Sequence, residues 1–315
     1  YIMYFSLLVF FISILLTQFF LSSMYPFLKK NFLDTPNERS SHVSPIPTSG
    51  GITFVFVSSL LCFFNGNLLP IISAPLAFIG VLDDKYSIRK RYRFLAQTIT
   101  SLMLIYIYLI KTNIIEFQFI SWISFFLLFS LTIFGVSIIN FINFMDGIDG
   151  LLSSSISVLL TFSMILENNY ELLPLLGGLL VFTLWNWAPA KVFMGDSGST
   201  FLGAIFIGII FSSNSFSNVS KILIASFPLL GDASITVIRR FFNKENIFRP
   251  HKKQLFQRLV AAGYEQEKVS IIYLFCTISL SIVGILFDVY IQLSLLLGIL
   301  LYAIFLEKYK AKKFK

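Results

Sequence analysis

The chain has 315 residues, of which 56% are hydrophobic and only 13% are charged. Soluble domains carry about 25% charged residues, so this composition excludes a soluble protein with a single anchor and indicates a polytopic membrane protein. The net charge of +8 could suggest nucleic acid as a partner, but the basic residues are spread over separate loops, which argues against it.

Apolar segments take up most of the chain and leave little for a separate soluble domain. We therefore predict an all-α polytopic membrane protein that forms one integral unit, 1–315, with about eleven transmembrane helices. The first segment lacks a basic start and a small-residue cleavage site, which favours a span over a signal peptide. The predicted spans are 1–21, 51–64, 68–82, 93–110, 120–139, 149–166, 172–187, 200–212, 219–239, 269–286 and 290–306.

Lys and Arg residues fall almost entirely in alternate loops. The loops after the first, third, fifth, seventh and ninth predicted spans, with the segment after the last span, hold 22 of the 24. The remaining loops hold only Lys111 and Lys221. By the positive-inside rule, the basic set is cytoplasmic, so we predict an N-terminus outside and a C-terminus in the cytoplasm.

The same cytoplasmic loops carry the polar motifs. Prolines and glycines between positions 34 and 51 exclude a helix and predict a shaped loop. Farther on, Asn140, Asn143, Asp146 and Asp149 follow an uncharged segment at steps of three. If this stretch is helical, the last three share a sector of about 120°, and their oxygens suit Mg²⁺. The alternative is a polar helix end that meets water, with glycines shaping a turn.

Two further acidic motifs lie at the predicted membrane boundary. Asp83 and Asp84 are adjacent and stand beside basic residues, which suits a proton acceptor or an anchor for cations; the alternative is a hydrated helix end. Asp196 lies between glycines whose amides can hold anionic oxygen, so a carboxylate there implies a bridging cation. Phe193 could stack on a base or simply pack at the interface.

Three other polar residues have less specific settings. Asp232 lies in or near a span, where an acid needs a partner or a cavity, and Arg239 or Arg240 could pair with it. His42 and His251 are far apart in basic loops and do not form a zinc motif. Together, one face carries carboxylates, glycine turns and cations, which suits a phosphate-rich substrate handled with Mg²⁺ and a lipid as second substrate.

Five motifs in this order resemble those of the polyprenyl-phosphate N-acetylhexosamine-1-phosphate transferases, a family that includes phospho-MurNAc-pentapeptide transferase. They are PNERSSH–PIPTSGG, GVLDDKYSI, NFINFMDGIDGL, VFMGDSGSTFLG and the basic segment PHKKQLFQRL. The resemblance implies transfer of a sugar-1-phosphate from a UDP-sugar to a polyprenyl phosphate, with release of UMP. It implies undecaprenyl phosphate in a bacterial inner membrane, an active site at the cytoplasmic face, and a role in starting O-antigen, capsule or cell-wall glycans.

The resemblance also implies roles for the acidic residues. Asn143 and Asp196 match the positions of the Mg²⁺ ligands, with Mn²⁺ as the alternative ion. Asp83 would deprotonate or orient the lipid phosphate, and Asp84 would support it. Further acidic residues of the catalytic cluster, implied to shape the metal site, are Asp146 and Asp149.

Other residues are implied to contact the substrates. Phe193 would stack on uracil, and Arg93 falls where relatives often carry a lysine that contacts phosphate. The residues implied to bind the substrates are Phe193, Arg93, His42, His251, Lys252 and Arg258.

One departure from the family pattern concerns the last basic loop. Many relatives have a second histidine where this chain has Gln254, which favours a starter of O-antigen or capsule chains over the peptidoglycan member. A MurNAc-peptide donor is the alternative within the enzyme class. A transporter or flippase for an anionic lipid is the alternative from another class, and it predicts polar groups deep in the helices. The oligomeric state is open between a monomer and a homodimer.

Overall fold

The structure is a computed structural model that describes residues 2–36, 44–111, 122–213, 215–247, 249 and 251–314. Within them, helices dominate and two short strands pair. The elements are α1 (Ile2–Asn31), β1 (Leu33–Asp34), β2 (Ile46–Pro47), α2 (Gly51–Phe64), α3 (Leu69–Tyr86), α4 (Lys90–Lys111), α5 (Trp122–Phe144), α6 (Leu151–Glu167), α7 (Leu173–Asn186), α8 (Gly195–Ser212), α9 (Phe216–Ala225), α10 (Phe227–Phe242), α11 (Leu255–Ala261), α12 (Gln266–Leu286) and α13 (Val289–Tyr309).

Five helices are long and apolar enough to cross a membrane: α1, α5, α8, α12 and α13. The pair α9 and α10 meets the same criteria when it is taken as one bent span, and α2, α6 and α7 are shorter apolar helices. Large apolar side chains face outward, for example Leu301 at 70% and Phe126 at 70% exposure. Such surfaces need lipid around them. The chain is therefore an all-α polytopic membrane protein, while the count of eleven spans remains a prediction.

The ends of several helices differ from those predicted. Helix α1 continues ten residues past the predicted end at position 21. Pro26 does not interrupt it, and Lys29 and Lys30 lie in its last turn, where basic side chains interact favourably with the helix dipole. The predicted loop between positions 34 and 51 contains an antiparallel pair, in which Leu33 faces Pro47 and Asp34 faces Ile46. This pair brings the chain back from the end of α1 to the start of α2.

The ninth predicted span, 219–239, is wrong as a single rod. Helix α9 ends at Ala225, and α10 starts at Phe227 with an axis bent by 73°. Pro228 lies in the first turn of α10, where its missing N–H costs nothing, but it would remove a hydrogen bond inside a continuous helix. The break therefore follows from the sequence.

Helix α8 is the central element of the fold. Its residues 197–210 are all buried, and it packs against α2, α3, α4 and α5. The first turn of α8 lies directly against α3, where Gly80 leaves no side chain between the two backbones. This close approach places the acidic end of α3 beside the start of α8.

Candidate active site

Loops that are far apart in sequence meet at one end of the helix bundle. The segment that precedes α2 runs along the segment that precedes α8 through backbone hydrogen bonds. Gly50 N donates to Phe193 O at 2.9 Å, Gly51 N donates to Met194 O at 3.0 Å, and Phe193 N donates to Pro47 O at 2.8 Å. This end also holds the junctions between α3 and α4 and between α5 and α6, and these are loops of the basic set.

Arg93 links two of the predicted acidic residues. One guanidinium nitrogen pairs with Asp83, and the other lies 2.5 Å from Asp196 Oδ2. The three side chains are 13 to 26% exposed, so the pairs are partly shielded from water. The end of α3, the start of α4 and the start of α8 are thereby joined by one planar cation, which suits two carboxylates better than a point charge would.

Asp84 holds the first turn of α8 in place. Its Oδ1 accepts a hydrogen bond from Asp196 N at 3.1 Å, and its Oδ2 accepts one from Ser49 Oγ at 2.5 Å. Gly195 has φ of +70°, and a side chain there would collide with the Asp84 carboxylate. Sequence reasoning missed Ser49, although its TSGG motif was noted, because a contact across 35 residues leaves no local signal.

Asn143 lies against Asp196 at the end of α5. In the orientation that satisfies its neighbours, the amide nitrogen donates to Asp196 Oδ1 at 3.1 Å and Ser199 Oγ at 2.5 Å. The amide oxygen accepts from Arg93 Nη2 at 3.2 Å. The structure thus brings together Asn143, Asp196, Asp83, Asp84 and Arg93, which sequence reasoning placed in one site.

The oxygen donors at this point fit a hard cation with few protein ligands. Among the described residues, no three His, Cys, Asp or Glu side chains are arranged to hold a metal ion. The candidate ligands are the carboxylate of Asp196 and the neighbouring amide of Asn143, once that amide turns its oxygen toward Asp196. Two such groups suit Mg²⁺, which usually keeps several waters and binds one or two carboxylates together with substrate phosphates.

The predicted helical stripe from Asn143 to Asp149 is wrong beyond its first member. Helix α5 ends at Phe144, and Asp146 and Asp149 lie in the turn that leads to α6. Gly150, with φ of +72°, ends this turn where a side chain would collide with Trp187. Residues 140–150 thus form a helix end followed by a shaped turn, which was part of the alternative reading.

Asp146 and Asp149 have different surroundings in this turn. Burial, followed by the carboxylates of Asp196, Asp84 and Asp149, raises the pKa of Asp146 to about 8. Asp149 is buried and accepts a hydrogen bond from Ala190 N at 2.9 Å, while its carbonyl accepts one from Ser270 Oγ at 2.7 Å. Asp146 therefore lies within electrostatic range of the acidic cluster, whereas the hydrogen bonds of Asp149 hold the turn against its neighbours.

The last basic loop packs against the same turn. The ring of His251 contacts that of Phe144 edge to face, with centroids 6.5 Å apart. Burial, followed by the charges of Arg240 and Lys253, lowers the pKa of His251 to about 4, so the ring is neutral at pH 7. Burial also lowers the pKa of Lys252. His251 thus contacts the last residue of α5, Phe144, which directly follows Asn143 in the chain.

Gln254, the departure noted in the sequence, caps helix α11. Its side chain accepts from the backbone of Gln257, and the Gln257 side chain accepts from the Gln254 amide, which is a capping box. Gln254 is 1% exposed, and its amide contacts Met145 Sδ at 3.7 Å. In this chain the position serves the local fold of the loop.

Asp232 anchors the same helix. Its carboxylate accepts from Leu255 N at 2.7 Å, Phe256 N at 3.2 Å and Tyr273 Oη at 2.7 Å. The expected pairing with Arg239 or Arg240 is not what the structure shows. Arg239 pairs with Glu307, and Arg240 lies 3.1 Å from Glu245.

The remaining predicted binding residues have varied positions. Arg258 is buried and donates to Lys253 O at 3.0 Å, Lys312 O at 3.1 Å and Glu307 at 3.0 Å. Its guanidinium therefore stabilises the fold of the basic loop. Phe193 is half-buried beside the start of α8. His42 lies outside the described residues.

A largely apolar cavity of about 310 Å³ lies between α10, α12 and α13. Ile235, Ile272 and Leu300 are among its apolar walls, and Asp232 and Arg239 lie at its polar end. The cavity therefore adjoins the anchor of the last basic loop.

The segment that matches a known family contains most of these site residues. Positions 68–214 match the family model described as Glycosyl transferase family 4. A Bacillus subtilis (strain 168) protein named "Probable undecaprenyl-phosphate N-acetylglucosaminyl 1-phosphate transferase" is 30% identical over 274 residues, covering 78% of this chain and 75% of the relative. The chain belongs to glycosyl transferase family 4.

Other relatives in family 4 carry two kinds of name. The Salmonella typhi "Undecaprenyl-phosphate alpha-N-acetylglucosaminyl 1-phosphate transferase" is 27% identical over 342 aligned positions, covering 96% of this chain and 91% of the relative. The Streptococcus uberis "Phospho-N-acetylmuramoyl-pentapeptide-transferase" is 31% identical over 194 positions, covering 52% of this chain and 58% of the relative. The family membership predicted from the five motifs is confirmed.

Proposed function

We propose that this protein transfers a sugar-1-phosphate from a UDP-sugar to undecaprenyl phosphate. A lipid phosphate oxygen attacks the β-phosphorus of the donor, the bond from that phosphorus to the bridging oxygen breaks, and UMP leaves. The observation that supports this most is the meeting of Asn143, Asp196, Asp83, Asp84 and Arg93 at one end of an apolar bundle. Relatives are named undecaprenyl-phosphate N-acetylglucosaminyl 1-phosphate transferases, which states the acceptor and the transferred group.

Asn143 and Asp196 are the residues that would hold Mg²⁺, or Mn²⁺, in this proposal. When bound, the ion neutralises phosphate oxygens and stabilises the departing UMP. The protein supplies a fixed frame for these ligands, because Asp84 and Ser49 hold the first turn of α8 and Gly80 allows α3 to lie against it. A fixed frame reduces the reorganisation needed during the reaction.

The acceptor phosphate would meet Asp83 and Arg93. Asp83 would accept a proton from the lipid phosphate or orient it, and Arg93 would offer a planar cation to the phosphate oxygens. The ion pair between these residues keeps both side chains oriented toward Asp196. Asp84 would act indirectly, by holding the backbone of the first turn of α8 through its hydrogen bond with Asp196 N.

The donor would bind between the start of α8 and the last basic loop. Phe193 offers a ring to uracil, and Lys252 a cation to the diphosphate. His251 is neutral at pH 7 because of its lowered pKa, so it can bind the donor through hydrogen bonds without adding charge. Arg258 would stabilise the loop through its hydrogen bond to the Lys253 carbonyl.

The membrane setting completes the proposal. The site would lie at the cytoplasmic face of a bacterial inner membrane. The chain would cross this membrane eleven times, with the bent pair α9 and α10 counted as one span. The apolar cavity between α10, α12 and α13 can accept part of a hydrocarbon chain. A phosphate at the bilayer surface and a chain in the lipid would then be aligned with the donor before reaction.

The direct test uses purified protein, undecaprenyl phosphate, Mg²⁺ and a panel of UDP-N-acetylamino sugars, with release of UMP as readout. We expect UMP with one donor class, dependence on the lipid, and loss of release with EDTA. A UDP-MurNAc-pentapeptide arm tests the alternative suggested by the Streptococcus uberis relative. Absence of UMP with every donor, together with movement of the lipid between leaflets, would favour the transporter.

A further inference from the structure

The segment that follows α13 packs against α11, next to the last basic loop. Lys312 N donates to Arg258 O at 3.2 Å, and Arg258 Nη1 donates to Lys312 O at 3.1 Å. These two bonds tie residues 310–314 to α11, although 54 positions separate the partners. The loop between His251 and Gln254 is therefore supported from a distant part of the chain.

Phe314 presents its ring to three cations at this junction. The ring centroid lies 5.7 Å from Arg239, 5.3 Å from Lys253 and 5.4 Å from Arg258. Each distance is within the range in which the negative face of an aromatic ring attracts a cation. One side chain thus contacts α10, the basic loop and α11.

The ring also acts on a local imbalance of charge. Three carboxylates lie among four cations here, because Asp232 also interacts with Arg258. Glu307 pairs with Arg239 and Arg258, and Glu245 pairs with Arg240 and Lys253. The excess positive charge would push the basic side chains apart, and the face of Phe314 is placed where it offsets part of this repulsion. The basic loop is thereby held in one arrangement.

We propose that Phe314 is a positioning residue for donor binding. By holding Lys253 and Arg258, it fixes the backbone that carries His251 and Lys252 toward a nucleoside diphosphate sugar. This inference rests on the proposed function, because it assigns the basic loop to the donor. Phe314 itself touches no reacting atom.

The test compares Phe314→Ala with the unaltered protein in detergent or nanodiscs. We expect the KM for the UDP-sugar to rise roughly five- to tenfold, because up to three cation–π contacts are lost. The kcat should change less than twofold, since the ring contacts neither Asn143 nor Asp196. The KM for undecaprenyl phosphate should rise less than the donor KM, since the ring meets the apolar cavity only through Arg239 and Arg258. Phe314→Tyr should restore the donor KM, because it keeps the ring face.

Phe305→Ala is the matched control, because Phe305 lies on α13 with its ring packed against Tyr302 and Tyr309. It should leave the donor KM unchanged. Hydrogen exchange of residues 251–258 gives a second readout, and Phe314→Ala should speed exchange there while α8 keeps its protection.

The inference is overturned if Phe314→Ala has the donor KM of the unaltered protein, if kcat falls with both KM values unchanged, or if Phe314→Tyr does not restore binding. These outcomes require an active unaltered protein. Failure of the unaltered protein to release UMP with any donor would instead contradict the proposed function.

Discussion

Asp196 is the residue on which the other site groups converge. Its amide is bound by Asp84, and its carboxylate contacts Arg93 and lies 3.1 Å from the Asn143 amide. Sequence patterns identified Asp84, Asn143 and Asp196 as polar residues at the ends of apolar segments, and the family motifs implied the phosphate contact of Arg93. Ser49 gave no such signal, since a serine in a loop is ordinary until its partner is known.

Replacing Asp196 with Asn tests the role of its charge. The amide is nearly the same size and leaves the backbone bond to Asp84 intact, so the protein should still fold, although its pairing with Arg93 is weakened. Loss of the negative charge should lower transfer roughly 100-fold or more, as for other groups that organise charge in a transition state. Asp288→Asn is the control, because Asp288 caps α13 through Tyr290 N and Ile291 N. Near-normal UMP release by Asp196→Asn would contradict the metal assignment.

His251 gives a prediction about stability and pH. Its pKa is about 4 in the folded protein against 6.5 for the free side chain, because of burial and the nearby Arg240 and Lys253, which outweigh Glu245. The unfolded chain therefore takes up the proton first as pH falls. The stabilising contribution is complete above pH 6.5 and is lost as pH falls toward 4.

His251→Gln should reduce this dependence on pH. We expect the melting temperature of the variant to fall less between pH 7 and pH 5 than that of the unaltered protein. Differential scanning fluorimetry in one detergent measures both. Equal losses in the two proteins would show that His251 is not buried against these cations.

At the scale of the elements, a partly buried pair of amide side chains joins helices α4 and α5. Asn140 Nδ2 donates to Gln97 Oε1 at 2.8 Å and to Val136 O at 2.8 Å. Gln97 lies one turn beyond Arg93 on α4, and Asn140 lies nearly one turn before Asn143 on α5. The pair therefore fixes the two helices at the level where Arg93 and Asn143 meet.

Asn140→Ala should leave the Gln97 amide unsatisfied in a buried place. We expect a loss of about 1–3 kcal/mol in the free energy of unfolding and a lower rate of transfer. Thermal unfolding and UMP release measure the two effects. Asn31→Ala is the control, since the exposed Asn31 side chain bonds the Phe27 carbonyl of its own helix. An Asn140→Ala protein as stable and active as the Asn31→Ala protein would refute the role of this pair.

Element types could be predicted more fully than element ends. Apolar runs located the long helices, but the ninth span breaks at Ser226, and the signal for it was Pro228. The helical stripe failed after Phe144, because Gly147 and Gly150 allow a turn that periodicity alone does not reveal. The cap of α11 by Asp232 was not foreseen, since it joins residues 23 positions apart.

At the scale of the whole molecule, the alternation of basic loops predicted which loops lie together. The structure brings the segments around Ser49, Asp83, Asn143 and Asp196 to one end, whereas Asn65 bonds the Glu171 carbonyl at the other. Hydropathy could not specify which side chains touch, because those contacts depend on the packing of α8.

Cysteine labelling in right-side-out and inverted vesicles tests the orientation. In a protein with Cys62 and Cys276 replaced by Ala, we expect Lys191→Cys to react with an impermeant maleimide only in inverted vesicles. Phe216→Cys, at a position 87% exposed, should react only in right-side-out vesicles. The reverse pattern would place the acidic cluster outside and contradict a cytoplasmic active site.

In the proposed reaction, the β-phosphorus of the donor moves together with the sugar. A donor labelled with ³²P in the β-phosphate and ³H in the sugar, incubated with undecaprenyl phosphate and Mg²⁺, distinguishes the possible reactions. We predict that both labels enter the lipid in equal amounts and that the nucleotide product is unlabelled UMP. Sugar in the lipid with ³²P left in UDP, or no label in the lipid with any donor, would contradict transfer of a sugar-1-phosphate.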